Sequence, residues 1–178
     1  ILISFKTIRK KAELKRKEEK RNHEVLYFHK VDDPYSHLTI QFVEKFKDEY
    51  SIDIVPILVG EENPETLHEP DLYSKYCLQD VKRIAPYYGI EFNGTSYPQR
   101  SLVNKANSIL ASLNSDEFVE VAKKVSTHLW NSDEIELSNM QKDFTCSMAE
   151  VSSALARGNQ IRNDSDYYFG SACLLYTS

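Results

Sequence analysis

No stretch of about 18 consecutive apolar residues occurs in this 178-residue chain, so no segment is built to cross a bilayer as a helix. Its three cysteines, Cys77, Cys146 and Cys173, form no Cys-x-x-Cys pair and no metal-ligand spacing. A reducing, cytoplasmic compartment is the expectation from that usage. Positive charge is also scarce outside one end. Residues 1–21 hold nine Lys or Arg against three Glu, which leaves 13 basic and 24 acidic side chains in the rest. An acidic body with one basic arm lacks the positive folded face of a nucleic-acid-binding domain, so no nucleic acid is expected at the body.

What is present is a chain long enough to bury roughly 70% of its unfolded surface, and one folded domain is expected. Residues 1–22 read as a basic helical arm or linker, with good helix formers but too few apolar side chains to bury a face. The chain begins at Ile1 rather than Met, so a signal or membrane segment lost upstream is an expectation, and an additional domain is expected in the full-length protein.

The domain is organised around the stretch from Val25 to Phe46. An apolar strand runs through Asp32 and Asp33 into an amphipathic helix. Asp33 is an N-cap type whose side-chain oxygen accepts from free helical N–H groups, and Pro34 suits the first helical position. Leu38, Phe42 and Phe46, with Thr39 and Val43, read as one stripe facing the sheet. Ser51–Gly60 reads as a second strand, parallel to the first, with Pro56 marking an edge or bulge. An acidic loop fills residues 60–71.

From Pro70 the periodicity turns helical. Tyr73, Tyr76, Cys77, Val81 and Ile84 share a face, Pro86 ends or kinks that helix, and Gly89 closes it. Ile90–Tyr97 reads as a loop. Pro98 opens a helix with Leu102, Val103, Ala106, Ile109, Leu110 and Leu113 inward, and Ser115 caps another, Asp116–Trp130. Shorter helices are expected at Glu134–Met140 and Phe144–Arg162, with a returning strand starting at Tyr167–Gly170. The class is α/β: a βαβ unit, a large helical insertion, and a sheet that has only begun to resume. The last six residues, Cys173–Ser178, equal the translation of a transposon end used in sequencing libraries and are set aside as a scar. The domain is then 23–172, incomplete at its C-terminus.

The layout, with Asp33-Pro34-Tyr35-Ser36 at the head of the first helix, resembles the DsbA-like branch of the thioredoxin superfamily. The nearer likeness is to 2-hydroxychromene-2-carboxylate isomerases and kappa-class glutathione transferases, which carry a Ser-Pro-Tyr-Ser-like turn where DsbA has Cys-Pro-His-Cys. Weaker matches are Tyr76 with Asp80, Arg83 to Ala85, Tyr88 to Ile90, Asn104 to Ala106, and Phe118 to Trp130 with Asp133. The resemblance implies a thioredoxin-like fold over about residues 24–172. It also implies oxidoreductase or isomerase chemistry, glutathione as a candidate cofactor, and a substrate surface including Pro34, Tyr35, Tyr76 and Trp130.

The departures redirect that expectation. In those relatives the first residue of the turn is a thiol, or a Ser serving glutathione's sulfur; here it is Asp33. A carboxylate takes the favourable end of the helix dipole for itself and repels a nearby thiolate by on the order of 1 kcal/mol in a partly desolvated site. Thiol–disulfide exchange is excluded at this turn, and glutathione activation disfavoured. The family's proline before its third strand aligns with Ala172, and its later Asp-Arg ligand motif is absent. The expectation is a non-redox binding domain for a small molecule or extended peptide, or a proton-transfer isomerase with Asp33 as base.

Ser36 and His37 form a second candidate set, nucleophile and base, against the alternative of a capping serine and a surface imidazole. A third reading takes His29, Asp32, Asp33 and His37 as the ligands of a metal-binding module or hydrolase. A fourth lines a cleft with Tyr35, Tyr73, Tyr76, Tyr87 and Tyr88.

Overall fold

The computed structural model describes residues 5–61, 69–144, 146–169 and 174–177. The basic arm is α1 (Phe5–Glu18), laced by ion pairs such as Arg16 to Glu13 at 2.8 Å. Then come β1 (His23–His29), α2 (Pro34–Ile40), α3 (Val43–Tyr50) and β2 (Ile52–Leu58). The two strands are parallel, with Tyr27 opposite Pro56. In the order β2-β1-β3, β2 is an edge, the position where a residue without an N–H costs least.

The expected single helix after the turn is two helices. Thr39 Oγ1 donates to the Tyr35 carbonyl at 2.8 Å, and the Gln41 and Phe42 N–H groups close three-residue turns onto Leu38 and Thr39. Such back-bonding bends a helix. The bend changes which residues face inward: Ile40 and Val43 join the core beneath the sheet, Leu38 packs with Val81 and Ala85, and Phe46 is exposed. The stripe read from Leu38 to Phe46 therefore does not lie on one buried face.

Between β2 and β3 lies the helical insertion: α4 (Pro70–Ile84), a 3-10 turn (Ala85–Tyr88), α5 (Arg100–Ala111), α6 (Ser115–Trp130), α7 (Glu134–Asp143) and α8 (Met148–Phe169). Gly89 ends the 3-10 turn at φ 69°, the left-handed conformation that glycine adopts without a Cβ clash. The cap of α6 is Asn114 rather than Ser115, its Oδ1 accepting from Asp116 and Glu117 N–H. Phe144 ends α7, and α8 begins later than its periodicity suggests, behind a reciprocal pair in which Ser147 N–H donates to Glu150 and Glu150 N–H to Ser147 Oγ.

Both faces of the sheet are covered. Tyr27, Val31 and Leu58 meet α5 and α6 on one side, while Phe28 and Val59 meet Ile161 of α8 on the other. Gly158 makes the second contact possible, since a Cβ there would lie 1.9 Å from the Leu58 carbonyl oxygen.

Residues Tyr167–Phe169 continue α8 rather than starting a strand, because neither Gly nor Pro lies between Gly158 and Phe169. Residues Leu174–Thr177, set aside in the sequence reading, form β3 antiparallel to β1. An open strand edge offers N–H and C=O groups to a short apolar segment of this kind. Ala172 lies outside the described residues.

Candidate functional site

Asp33 caps α2 as its residue type requires: Oδ2 accepts the Ser36 N–H at 2.6 Å. Burial pushes the Asp33 carboxyl above its ordinary range, and bonds from Ser36, the Lys30 charge and the Tyr35 N–H offset this only in part. Pro34 is buried and fixes the start of the helix. Tyr35 points across to α4, where its hydroxyl donates to Asp80 Oδ2 at 2.7 Å, tying the two helices together.

The Asp33 charge acts on groups from two further segments. From α4 comes Cys77, 2% exposed, whose thiol is pushed up first by burial, and further by the Asp33 and Asp80 charges. Tyr73 lies a turn before it and hydrogen-bonds the thiol. From the loop after Gly89 comes Tyr97, pushed up to about 12, again mainly by burial with Cys77 and Asp33 contributing and Ser74 opposing. Tyr35 is raised as well, by burial and then by its bond to Asp80.

On the other side of α2 the chemistry is basic and sealed. His37 is 5% exposed, not a surface imidazole; its Nδ1 shares a 2.7 Å hydrogen bond with Ser126 Oγ. Its ring lies 5.5 Å from Phe92 and 6.1 Å from Trp130, and Trp130 also meets Phe92 and Tyr97. Gly94 seats this loop, since a Cβ would press into Phe92 and Trp130. His29 is 1% exposed, with Nδ1 on the Tyr27 hydroxyl at 2.7 Å and Nε2 buried without a partner. Burial lowers His29 to about 3 and His37 to about 4.

The residues singled out in the sequence thus divide. Asp33, Pro34 and Tyr35 stand together at the turn. Ser36 Oγ accepts from Lys30 N–H at 3.3 Å while His37 is engaged with Ser126, so no hydrogen bond joins the two among the described contacts. Tyr76 is exposed on α4, and Trp130 lies behind Tyr97 with its Nε1 unpartnered. Among the described residues no three His, Cys, Asp or Glu side chains converge as a metal site. The four-ligand reading is corrected accordingly: His29 and His37 are buried in separate hydrogen bonds and Asp32 pairs with Lys30 at 3.6 Å. Tyr87 and Tyr88 belong to the 3-10 turn, Tyr88 against Phe42 rather than against Asp33.

Sequence reasoning assigned Cys77 to packing and Tyr97 to a loop. Only the fold brings either of them within range of the Asp33 charge.

Compared with solved structures, the chain matches the crystal structure of a "putative protein disulfide isomerase from Nitrosomonas europaea" with a TM-score of 0.63. The match covers 89% of this chain and 86% of that one at 14% identity. A 2-hydroxychromene-2-carboxylate isomerase matches with a TM-score of 0.47 over 81% and 77% of the two chains, also at 14% identity. No family model matches the sequence, and no curated protein does. The fold is a thioredoxin-like α/β fold with a helical insertion. Among the described residues no helix is long and apolar enough to cross a membrane.

Proposed function

We propose that this chain is a non-redox binding domain that holds a small molecule or an extended peptide where the Asp33 turn faces α4. The observation that carries the reading is the carboxylate at the head of α2, with Oδ2 on the Ser36 N–H at 2.6 Å. Disulfide exchange needs a reachable thiol whose thiolate is stabilised. Cys77, the thiol on which the Asp33 charge acts among the described residues, is buried and shifted the opposite way. These features support binding over the disulfide isomerisation named for the Nitrosomonas europaea protein.

Trp130, the sole tryptophan of the chain, stands 5.8 Å from the Tyr97 ring and reports on the site by its emission. A titration series of glutathione, short peptides and small organic molecules, followed by emission and calorimetry, is expected to yield ligands whose binding is weakened in Asp33→Asn. A series with no Asp33-dependent ligand, or robust insulin reduction by the wild-type protein, overturns the reading.

A second reading, proton-transfer isomerisation with Asp33 as base, is favoured by the raised Asp33 carboxyl, since a base nearer neutrality is the better catalyst. It requires deuterium from heavy water to enter a bound carbon acid, and that exchange to vanish in Asp33→Asn.

A further inference from the structure

The first helix differs from the rest of the molecule in both packing and charge. None of the described residues of α1 belongs to a hydrophobic core cluster, and Leu14 keeps 52% of its surface exposed. The arm is tied down near its C-terminal end, where Arg16 Nη1 donates to the Arg21 carbonyl at 2.6 Å and Glu13 stands 3.8 Å from His23. Nine Lys or Arg against three Glu give residues 1–21 a net charge of +6, whereas 13 basic and 24 acidic side chains leave residues 22–178 at −11.

Within the arm the acids sit in the second half. Glu13 holds Arg16 and Lys17, and Glu19 holds Lys15 and Arg21. Ahead of Glu13 the sequence has Lys6, Arg9, Lys10 and Lys11 and no acid at all. Lys10 and Lys11 are exposed and enter no ion pair among the described residues. With no acid in its first turn, α1 also sets these cations against the positive end of its own dipole, a conflict that an outside anion relieves. Apolar residues share the same end: Phe5, Ile8 and Ala12 fall on one stripe by helical spacing, and Ile1, Leu2 and Ile3 precede them in the sequence. The same spacing puts Lys11 and Lys15 on one flank of that stripe and Arg9 and Arg16 on the other.

We propose that α1 docks this protein on an anionic lipid surface, with its lysines at the headgroups and its apolar stripe at the acyl boundary. Binding of this kind draws on buried apolar area and on charge together, and each Lys or Arg near such a surface contributes about 1 kcal/mol. A nucleic acid offers phosphate but no apolar layer for Phe5 and Ile8. It is also read chiefly by arginine, and Arg16 and Arg21 are already committed to Glu13 and Glu19. The lipid field that attracts the arm repels the acidic body, so contact is made by α1 while the Asp33 turn stays in water. The proposal uses no residue of that turn and stands or falls apart from the binding reading above.

The test sediments the whole chain with vesicles of phosphatidylcholine alone and with vesicles in which about one lipid in three is phosphatidylserine. Partitioning is expected to be at least about tenfold stronger on the anionic vesicles and to weaken as salt is raised. The double variant Lys10→Glu with Lys11→Glu is expected to lose at least about tenfold. Phe5→Ser with Ile8→Ser, which keeps every charge, is expected to lose several-fold on vesicles. Both variants lie outside the core clusters and are expected to keep the wild-type thermal midpoint, which shows that the body remains folded. Equal partitioning onto the two kinds of vesicle, or partitioning indifferent to the charge reversal, overturns the proposal. Tighter binding to a short mixed-sequence DNA duplex than to the anionic vesicles assigns the arm to nucleic acid and overturns it as well. Self-association that depends on Lys10 and Lys11, without vesicle binding, does the same in favour of a second copy.

Discussion

The two sides of α2 meet the same physical force with opposite sign. On the α4 side burial raises Asp33, Tyr35, Cys77 and Tyr97, and on the α6 side it lowers His29 and His37. In both places loss of water disfavours the charged form. The sides differ in access. The imidazoles lie under Phe92, Trp130 and Phe118, with Ser126 and Tyr27 taking one nitrogen each. On the other side Cys77 stands one helical turn from the half-exposed Tyr73. A neutral buried base sealed by aromatic rings stabilises a fold, whereas a partly open acid can still take its charge from a partner.

The largest expected effect breaks the sealed side. Trp130→Ala removes the ring shared by His37, Phe92 and Tyr97 and should cost about 3–5 kcal/mol, read as a lowered urea midpoint. If the loss is under about 1 kcal/mol, the aromatic cluster is not what seals the histidines.

Acid titration comes next. Below the ordinary value of 6.5 an unfolded chain protonates these imidazoles while the folded chain holds them neutral to about 4 and about 3. Their contribution is therefore present above pH 6.5 and is lost as pH falls toward 4, by on the order of a few kcal/mol. His37→Phe should flatten that slope in denaturation curves between pH 6.5 and 4.5, and an unchanged slope removes His37 from the account.

Tyr35→Phe takes the donor from Asp80 and is expected to cost about 1 kcal/mol, the bond being only part-buried. Coupling to Asp80→Ala in a double-mutant cycle checks that the two residues act through one bond.

Asp33→Asn sharpens the comparison with the smallest change. The Asp33 carboxyl is raised in the folded protein, so its stabilisation is greatest at low pH and declines as pH rises through the folded value. At neutral pH the uncharged cap should leave stability equal or higher by up to about 1 kcal/mol in thermal melts. A loss of stability would mean that the charge itself supports α2.

Much of the site's frame was readable because capping is local chemistry. Asp33 with Pro34 marks a helix start in any context, and Gly89 marks a stop, since each acts on backbone groups within a few residues. The same kind of signal lay unused at Ser147 and Glu150, whose spacing sets the start of α8 more firmly than the apolar period from Phe144 did. The stripe through Phe42 and Phe46 misled because a repeat of four fits an unbroken helix, and the Thr39 hydroxyl breaks it.

By itself the sequence determined the parallel βαβ unit, the carboxylate at the head of α2 and the helical insertion, because strand and helix periods and caps are properties of neighbours in the chain. Only the tertiary structure decided that His37 turns inward to Ser126 and that Cys77 and Tyr97 come within range of the Asp33 charge. Those contacts join residues far apart in sequence, and the burial that shifts their protonation exists only once the helices have packed.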